Sequence, residues 1–158
     1  MRFKPRRLPD EVIGGTTNPY IERWHLFRSR TFFNIYLHHV IRSDDERALH
    51  DHPWWNISIV LCGGYYEEVP AIPGMYQYGW RHTIKKWRGV GSVIFRKANS
   101  IHRLIIPAFM PRETWTLFIT GPKYREWGFY CPKGWKHWRE FCNVPVGEAT
   151  HEEIGPGC

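Results

Sequence analysis

The chain of 158 residues contains only four cysteines, Cys62, Cys131, Cys142 and Cys158, at irregular intervals. A set this sparse excludes the disulfide framework of small secreted domains, so these residues are expected as reduced thiols. Cys131, His137 and Cys142 can be imagined as zinc ligands, but their spacing matches no common structural zinc site. No apolar run is long enough to span a bilayer, and the opening Met1-Arg2-Phe3-Lys4-Pro5-Arg6-Arg7 lacks the apolar core of a secretory signal. A cytoplasmic protein with no membrane partner is expected. No internal repeat or low-complexity segment is present, and the length suits a single domain, within the usual range of roughly 100 to 200 residues.

Acidic residues are the scarcer charge, 15 against 22 basic residues, for a formal net charge of +7. The excess is dispersed. Arg2, Lys4, Arg6 and Arg7 form an N-terminal basic arm, and Lys85, Lys86, Arg88, Arg96, Lys97 and Arg103 gather in the second half. No uninterrupted basic tract and no nucleic-acid-binding motif accompany them, so a nucleic-acid partner has only net charge behind it. A small anionic molecule is the expected partner, with plain solvated faces as the alternative.

What the chain has in abundance is turn residues, 12 prolines and 14 glycines, together with aromatic and β-branched residues, a mixture that favours strands and turns over long helices. Residues 1–20 read as an extended arm. Ile21, Trp24 and Phe27 stand at helical spacing, so Tyr20 to Ser29 is expected as one short helix. Thr31 to Ile41 reads as a strand on which only one of His38 and His39 can face inward. The apolar run Ile57 to Cys62, the turn Gly63-Gly64 and the segment Tyr65 to Val69 read as a hairpin, and either Glu67 or Glu68, but not both, can face inward. Tyr76, Tyr78 and Trp80 alternate as a possible stacking stripe. His82 to Arg88, Val90 to Arg96 and Trp115 to Thr120 complete the strands. Residues 122–158 carry Trp127, Phe129, Tyr130, Trp135, Trp138 and Phe141, which must cover the barrel or a partner.

The chemistry-bearing residues are His50-Asp51-His52-Pro53 and, fifty residues beyond His52, His102 within Ala98-Asn99-Ser100-Ile101-His102-Arg103. Alternate side chains of an extended segment share a face, so His50 and His52 can share one ion. Neutral imidazole suits iron, nickel, copper or zinc.

These segments resemble the two motifs of the cupin superfamily of small β-barrels. The first motif pairs HxH with a later carboxylate and a glycine, positions held here by Asn56 and Gly63. The second runs from a glycine through an apolar strand to a histidine, matched by Gly91-Ser92-Val93-Ile94-Phe95-Arg96 leading to His102. Asn56 departs from the pattern, because a neutral amide is a poor substitute for an anionic ligand. The resemblance therefore implies a three-histidine site of His50, His52 and His102, similar to that of the thiol dioxygenase group, the cysteine dioxygenases, in which three histidines hold ferrous iron. The Ser-His-Tyr relay expected of that group has no counterpart in Thr114 to Thr120, and its cysteine beside the iron is not matched, since Cys62 lies too far along its strand.

The fold so implied is all-β: a single-domain, cupin-like antiparallel β-barrel (jelly roll) with a short N-terminal helix and an aromatic C-terminal extension. Its expected divisions are 1–30 (arm and helix), 31–121 (barrel core) and 122–158 (extension packing on the barrel). A homodimer follows from the resemblance. The expected function is a metal-dependent enzyme, foremost a non-haem iron dioxygenase acting on a small anionic or thiol substrate. A metal-assisted hydrolase or isomerase acting on a nucleotide or sugar phosphate is the alternative, and a non-catalytic ligand-binding barrel is the third reading. The cofactor is a divalent transition metal, Fe(II) first, with zinc, manganese or nickel as substitutes. Asn56 is expected to orient substrate or water, and Arg96 to pair a substrate anion through its guanidinium fork. Ser58 and Cys62 share the parity of the histidines and are expected to line the pocket. Trp54 is expected to wall the pocket entrance, and Arg103 is a further substrate contact, although strand parity opposes it to His102.

Overall fold

The computed structural model describes residues 5–15, 17–44, 48–72, 82–108, 114–144 and 157–158. Among the described residues twelve strands and one short helix follow in order: β1 (Glu11–Ile13), β2 (Ile21–Phe27), β3 (Asn34–Val40), β4 (Leu49–His50), β5 (Asn56–Cys62), β6 (Gly64–Pro70), β7 (Thr83–Gly89), β8 (Val93–Arg96), β9 (Arg103–Ile105), β10 (Thr114–Thr120), β11 (Gly128–Cys131), β12 (Gly134–His137) and α1 (Trp138–Cys142). They form a six-stranded sheet in the order β1-β2-β3-β10-β5-β8 and two three-stranded sheets, β7-β6-β9 and β12-β11-β4. All the strand pairings are antiparallel. This is the all-β, cupin-like barrel that the sequence implies. The stripe Tyr76, Tyr78 and Trp80 lies outside the described residues.

The register decides which side chains enter the barrel. Along β5, Asn56, Ser58 and Val60 are buried while Ile57 and Ile59 are not. Cross-strand partners share a face, and the pairs Asn56↔Arg96 and Ser58↔Ile94 on one side and Ser58↔Phe118 and Asn56↔Thr120 on the other carry the inner face across β8 and β10. It continues through Thr116↔His38 to β3 and through His38↔Arg23 to β2. Gly63, in the left-handed region at φ 69°, makes the β5–β6 turn.

Two expectations are overturned here. Tyr20 to Ser29 is not a helix: Ile21–Phe27 is β2, paired along its length with β3. Trp24 is buried on the outer face, where its indole Nε1 donates to the Arg7 carbonyl at 3.0 Å and its ring lies 5.4 Å from that of Trp115. A strand covered on both faces loses its period-two signature, and Ile21, Trp24 and Phe27 then mimic helical spacing. The cysteines are not all thiols either, because Cys131 and Cys158 form a disulfide while Cys62 and Cys142 are free. That bond removes Cys131 from any zinc site and withdraws the cysteine argument for a reducing compartment. Among the described residues no helix is long and apolar enough to cross a membrane.

The aromatic extension packs around α1 and β11. Phe129 stacks on Phe141 with ring centroids 3.7 Å apart, and Trp127 stacks on Trp138 at 5.6 Å. With Ala48, Cys142 and Val144 these rings make a second hydrophobic core behind β4.

Candidate metal centre

His50 and His102 face each other across an antiparallel bridge, each backbone N–H donating to the other's carbonyl at 3.0 Å. Such directly opposed residues project their side chains from the same face. The ladder continues with His52 N–H donating to the Ala98 carbonyl at 2.9 Å, so the HxH segment is laid against the segment leading to His102. Backbone pairing is thus what joins two motifs far apart in the chain.

The result is a compact triad in which one ligand-type nitrogen from each of His50, His52 and His102 lies within 4.8 Å of the others. The Nε2 atoms of His52 and His102 are 2.8 Å apart. His50 Nδ1 lies 3.0 Å from Asp44 Oδ2, and His102 Nδ1 lies 3.3 Å from Glu67 Oε1. These carboxylates stand at ion-pair distance from Nδ1, the position from which a carboxylate orients a metal-ligating imidazole.

The protonation states agree with that role. Burial pushes His102 down to about 4, with the Arg96 charge adding to the effect and Glu67 opposing it. His52 is pushed well below the ordinary imidazole value by burial, then by its neighbours His50, His102, Arg96 and Arg23. Both rings are neutral at pH 7, the form that binds metal. A divalent transition ion fits this donor set: three imidazole nitrogens within 4.8 Å of one another, two of the rings backed by a carboxylate.

Below the triad lies a buried ion network. Arg96 Nε donates to Glu67 Oε1 at 2.6 Å, Nη1 to Asn56 Oδ1 at 3.1 Å and Nη2 to the Tyr65 hydroxyl at 3.4 Å. Arg88 Nε donates to Glu67 Oε2 at 2.8 Å. Burial disfavours the Glu67 anion, but His102 and Arg96 outweigh it and hold the carboxyl well below the carboxylate range. Two guanidiniums thus surround one carboxylate beside the triad. Asn56 is wholly buried, and its Nδ2 has no protein hydrogen-bond partner, which leaves an amide donor on the inner face.

The structure brings some of the sequence-expected site residues together and separates others. Trp54 stacks on His52 with centroids 4.9 Å apart and meets Phe118 edge-on at 5.5 Å, which places it beside the triad. Ser58 is buried on the inner face, 3.4 Å from the Tyr65 hydroxyl. Arg96 reaches the site, but all three of its side-chain nitrogens are engaged within the protein. Cys62 does not line the pocket: a register shift pairs Cys62 with Trp115 but Val60 with Thr116, which leaves Leu61 as the extra residue and turns Cys62 to the outer face. Arg103 is turned away as well, its Nε donating to Glu68 Oε2 at 2.5 Å. Of the carboxylate pair it is Glu67 that faces inward, and it meets a metal-site histidine rather than the triad's centre. His38 is the inward member of its pair. It accepts from Arg23 Nε at 2.9 Å, and burial, then Arg23 and His25, push its pKa far down. His39 is on the outer face, stacked on Trp115.

Sequence reasoning missed Asp44 and Arg125. Asp44 sits in a polar loop with no local signal. Arg125 Nη1 contacts Asp51 Oδ2 at 2.8 Å and donates to the carbonyls of Ala98 and His52 at 3.1 and 3.3 Å, joining both ligand segments. The only hint was the acidic residue inside His50-Asp51-His52.

The fold and site together define a cupin-like barrel with a three-histidine candidate metal centre. Among solved structures, the polyketide cyclase RemF from Streptomyces resistomycificus is similar, with a TM-score of 0.56 at 14% identity over 90% of this chain and 95% of that one. A cupin-like protein from Thermotoga maritima MSB8 gives 0.54 at 14% identity over 92% and 99%. The iron(II) form of HppE gives 0.52 at 12% identity over 77% of this chain and 59% of that one. Likeness at these identities establishes the fold alone. No family model matches the chain, and no curated protein does.

Proposed function

We propose that the protein is a metal-dependent cupin-type enzyme, a non-haem iron dioxygenase acting on a small anionic substrate. The observation that carries this reading is the pair of Nε2 atoms of His52 and His102 at 2.8 Å, in a triad whose His50 and His102 are each backed by a carboxylate. Three neutral ligands leave a divalent ion its full charge and open positions, a variant of the facial arrangement found in non-haem iron oxygenases. Ferrous iron, when bound, supplies redox chemistry with dioxygen that no side chain provides.

The chain's own residues bind and orient. His50, His52 and His102 would hold the ion, with Asp44 and Glu67 beside the Nδ1 atoms of His50 and His102 to orient the rings. The Asn56 amide donates to an anionic oxygen of the substrate. Arg96 acts through Asn56, fixing its carbonyl and adding positive potential, rather than as a bidentate clamp. Trp54 and Phe118 shield the reacting face from water. Without the relay of the thiol dioxygenases, a carboxylate or other oxyanion is the favoured substrate chemistry over a thiol.

Oxygen uptake by anaerobically iron-loaded protein, screened against small carboxylates and thiols, tests the proposal. Uptake by the wild type that His102→Ala abolishes is expected. Turnover that proceeds equally under nitrogen, or with zinc in place of iron, contradicts the oxygenase and selects Lewis-acid chemistry.

A further inference from the structure

The connection between β2 and β3 is an exposed hairpin tip that the metal centre does not use. Leu26, Phe27, Phe32 and Phe33 are 56%, 46%, 71% and 41% exposed. The turn that presents them is built. Ser29 N–H donates to Asn34 Oδ1 at 2.9 Å, Ser29 Oγ accepts from the N–H groups of Thr31 and Phe32 at 3.2 Å each, and the rings of Phe27 and Phe33 pack at 5.1 Å.

Arg28 and Arg30 stand exposed between these apolar residues. Neither has an ion pair among the described residues, and the sequence contains no carboxylate between Glu22 and Asp44. The tip therefore combines unpaired cationic charge with apolar side chains in water. Four side chains on a hairpin tip fall short of the roughly 800 Å² per partner of a stable protein interface. Nor do they form the groove with stacking platforms by which single-stranded nucleic acid is held. Short apolar insertion flanked by arginines matches a bilayer boundary whose headgroups are anionic.

The tip also has a defined position relative to the histidine triad. Asn34 at the start of β3 pairs with Thr120, Thr120 with Asn56, and Asn56 with Arg96. Residues 28–33 thus leave the six-stranded sheet at the same end as Trp54 before β5 and Lys97 after β8, the end that carries His52.

We propose that the β2–β3 tip docks the protein on an anionic lipid surface, apolar residues inserted and Arg28 and Arg30 among the headgroups, with the end of the barrel that carries His52 toward the bilayer. The expectation of no membrane partner rests on the absence of a spanning segment, which does not bear on surface docking. The proposal does not depend on the oxygenase reading.

Co-sedimentation of the full chain with phosphatidylcholine vesicles, with and without phosphatidylglycerol, is the test. The wild type is expected to bind only the anionic vesicles. Arg28→Gln/Arg30→Gln is expected to weaken binding by about thirtyfold, from the usual contribution of a cation near an anionic leaflet. Phe32→Ser, at the most exposed ring, weakens it without altering the thermal midpoint, which separates docking from folding. Equal binding to neutral and anionic vesicles, no binding to either, or unchanged binding by both variants overturns the proposal. Salt-sensitive oligonucleotide binding or self-association, lost in the same variants without any vesicle binding, also overturns it and assigns the tip to that other partner.

Discussion

Arg125 and Asp51 form an ion pair, Nη1 to Oδ2 at 2.8 Å, in which the carboxylate is wholly buried and also accepts from the Gly128 N–H at 2.8 Å. The pair fastens the segment carrying His50 and His52 to β11 on one side and, through the Ala98 carbonyl, to the segment leading to His102 on the other. Arg125→Ala is expected to lower metal affinity tenfold to a hundredfold, the usual range for residues that orient ligands, with the far-ultraviolet circular dichroism unchanged because Asp51 keeps its backbone donor. Competition against a chelator measures it, and an unaltered affinity removes Arg125 from the centre.

Glu67 holds three groups at once: Arg88, Arg96 and His102. Glu67→Gln leaves two guanidiniums against a neutral amide in a buried place, at a cost of about 3–5 kcal/mol. A drop in thermal midpoint of about 10 °C is expected at this chain length. Metal affinity falls with it, and differential scanning calorimetry of the metal-free and loaded protein reads both effects.

The depressed His102 fixes the sign of an acid effect on the metal-free protein. The unfolded chain takes up a proton near 6.5, whereas the folded ring stays neutral until about 4, so stability is lost as pH falls through that window. The loss from His102 is about 3 kcal/mol at most. Below the ordinary value of 4.5, protonation of Glu67, whose carboxyl is held lower in the fold, continues the loss. Urea midpoints measured from pH 7.5 to 4 are expected to fall monotonically, and a flat profile contradicts the neutral buried imidazole.

Trp54 touches His52 through its ring face and is spared any role in holding the ion. Trp54→Ala is expected to leave metal content intact and to raise KM by about two- to tenfold, the worth of a stacked wall. Loss of metal in that variant assigns Trp54 to ligand support instead.

How much of this was legible in the chain depends on how local each signal was. Alternation made the shared face of His50 and His52 legible, while His102 as the third ligand and the barrel itself were legible through the resemblance of the two segments to the cupin motifs, with the hairpin Ile57 to Val69 announcing its turn at Gly63-Gly64. Strand β2 was not, since Trp24 is covered by the segment at Arg7 and the buried outer face erased the alternation. Cys62 followed the parity rule up to a bulge that opposes two residues to one, which leaves no mark in the sequence. Asp44, Glu67 and Arg125 reach the histidines only through tertiary pairing, and the Cys131–Cys158 disulfide depends on where the end of the chain is brought.

The most direct measurement of the central claim is the metal content of untagged protein, wild type against His50→Ala/His102→Ala, as purified and after anaerobic loading. Close to one divalent transition ion per wild-type chain, iron foremost, is expected, and none retained by the folded variant. A wild type that holds no iron, zinc, manganese or nickel after loading contradicts the metal centre and leaves a ligand-binding barrel.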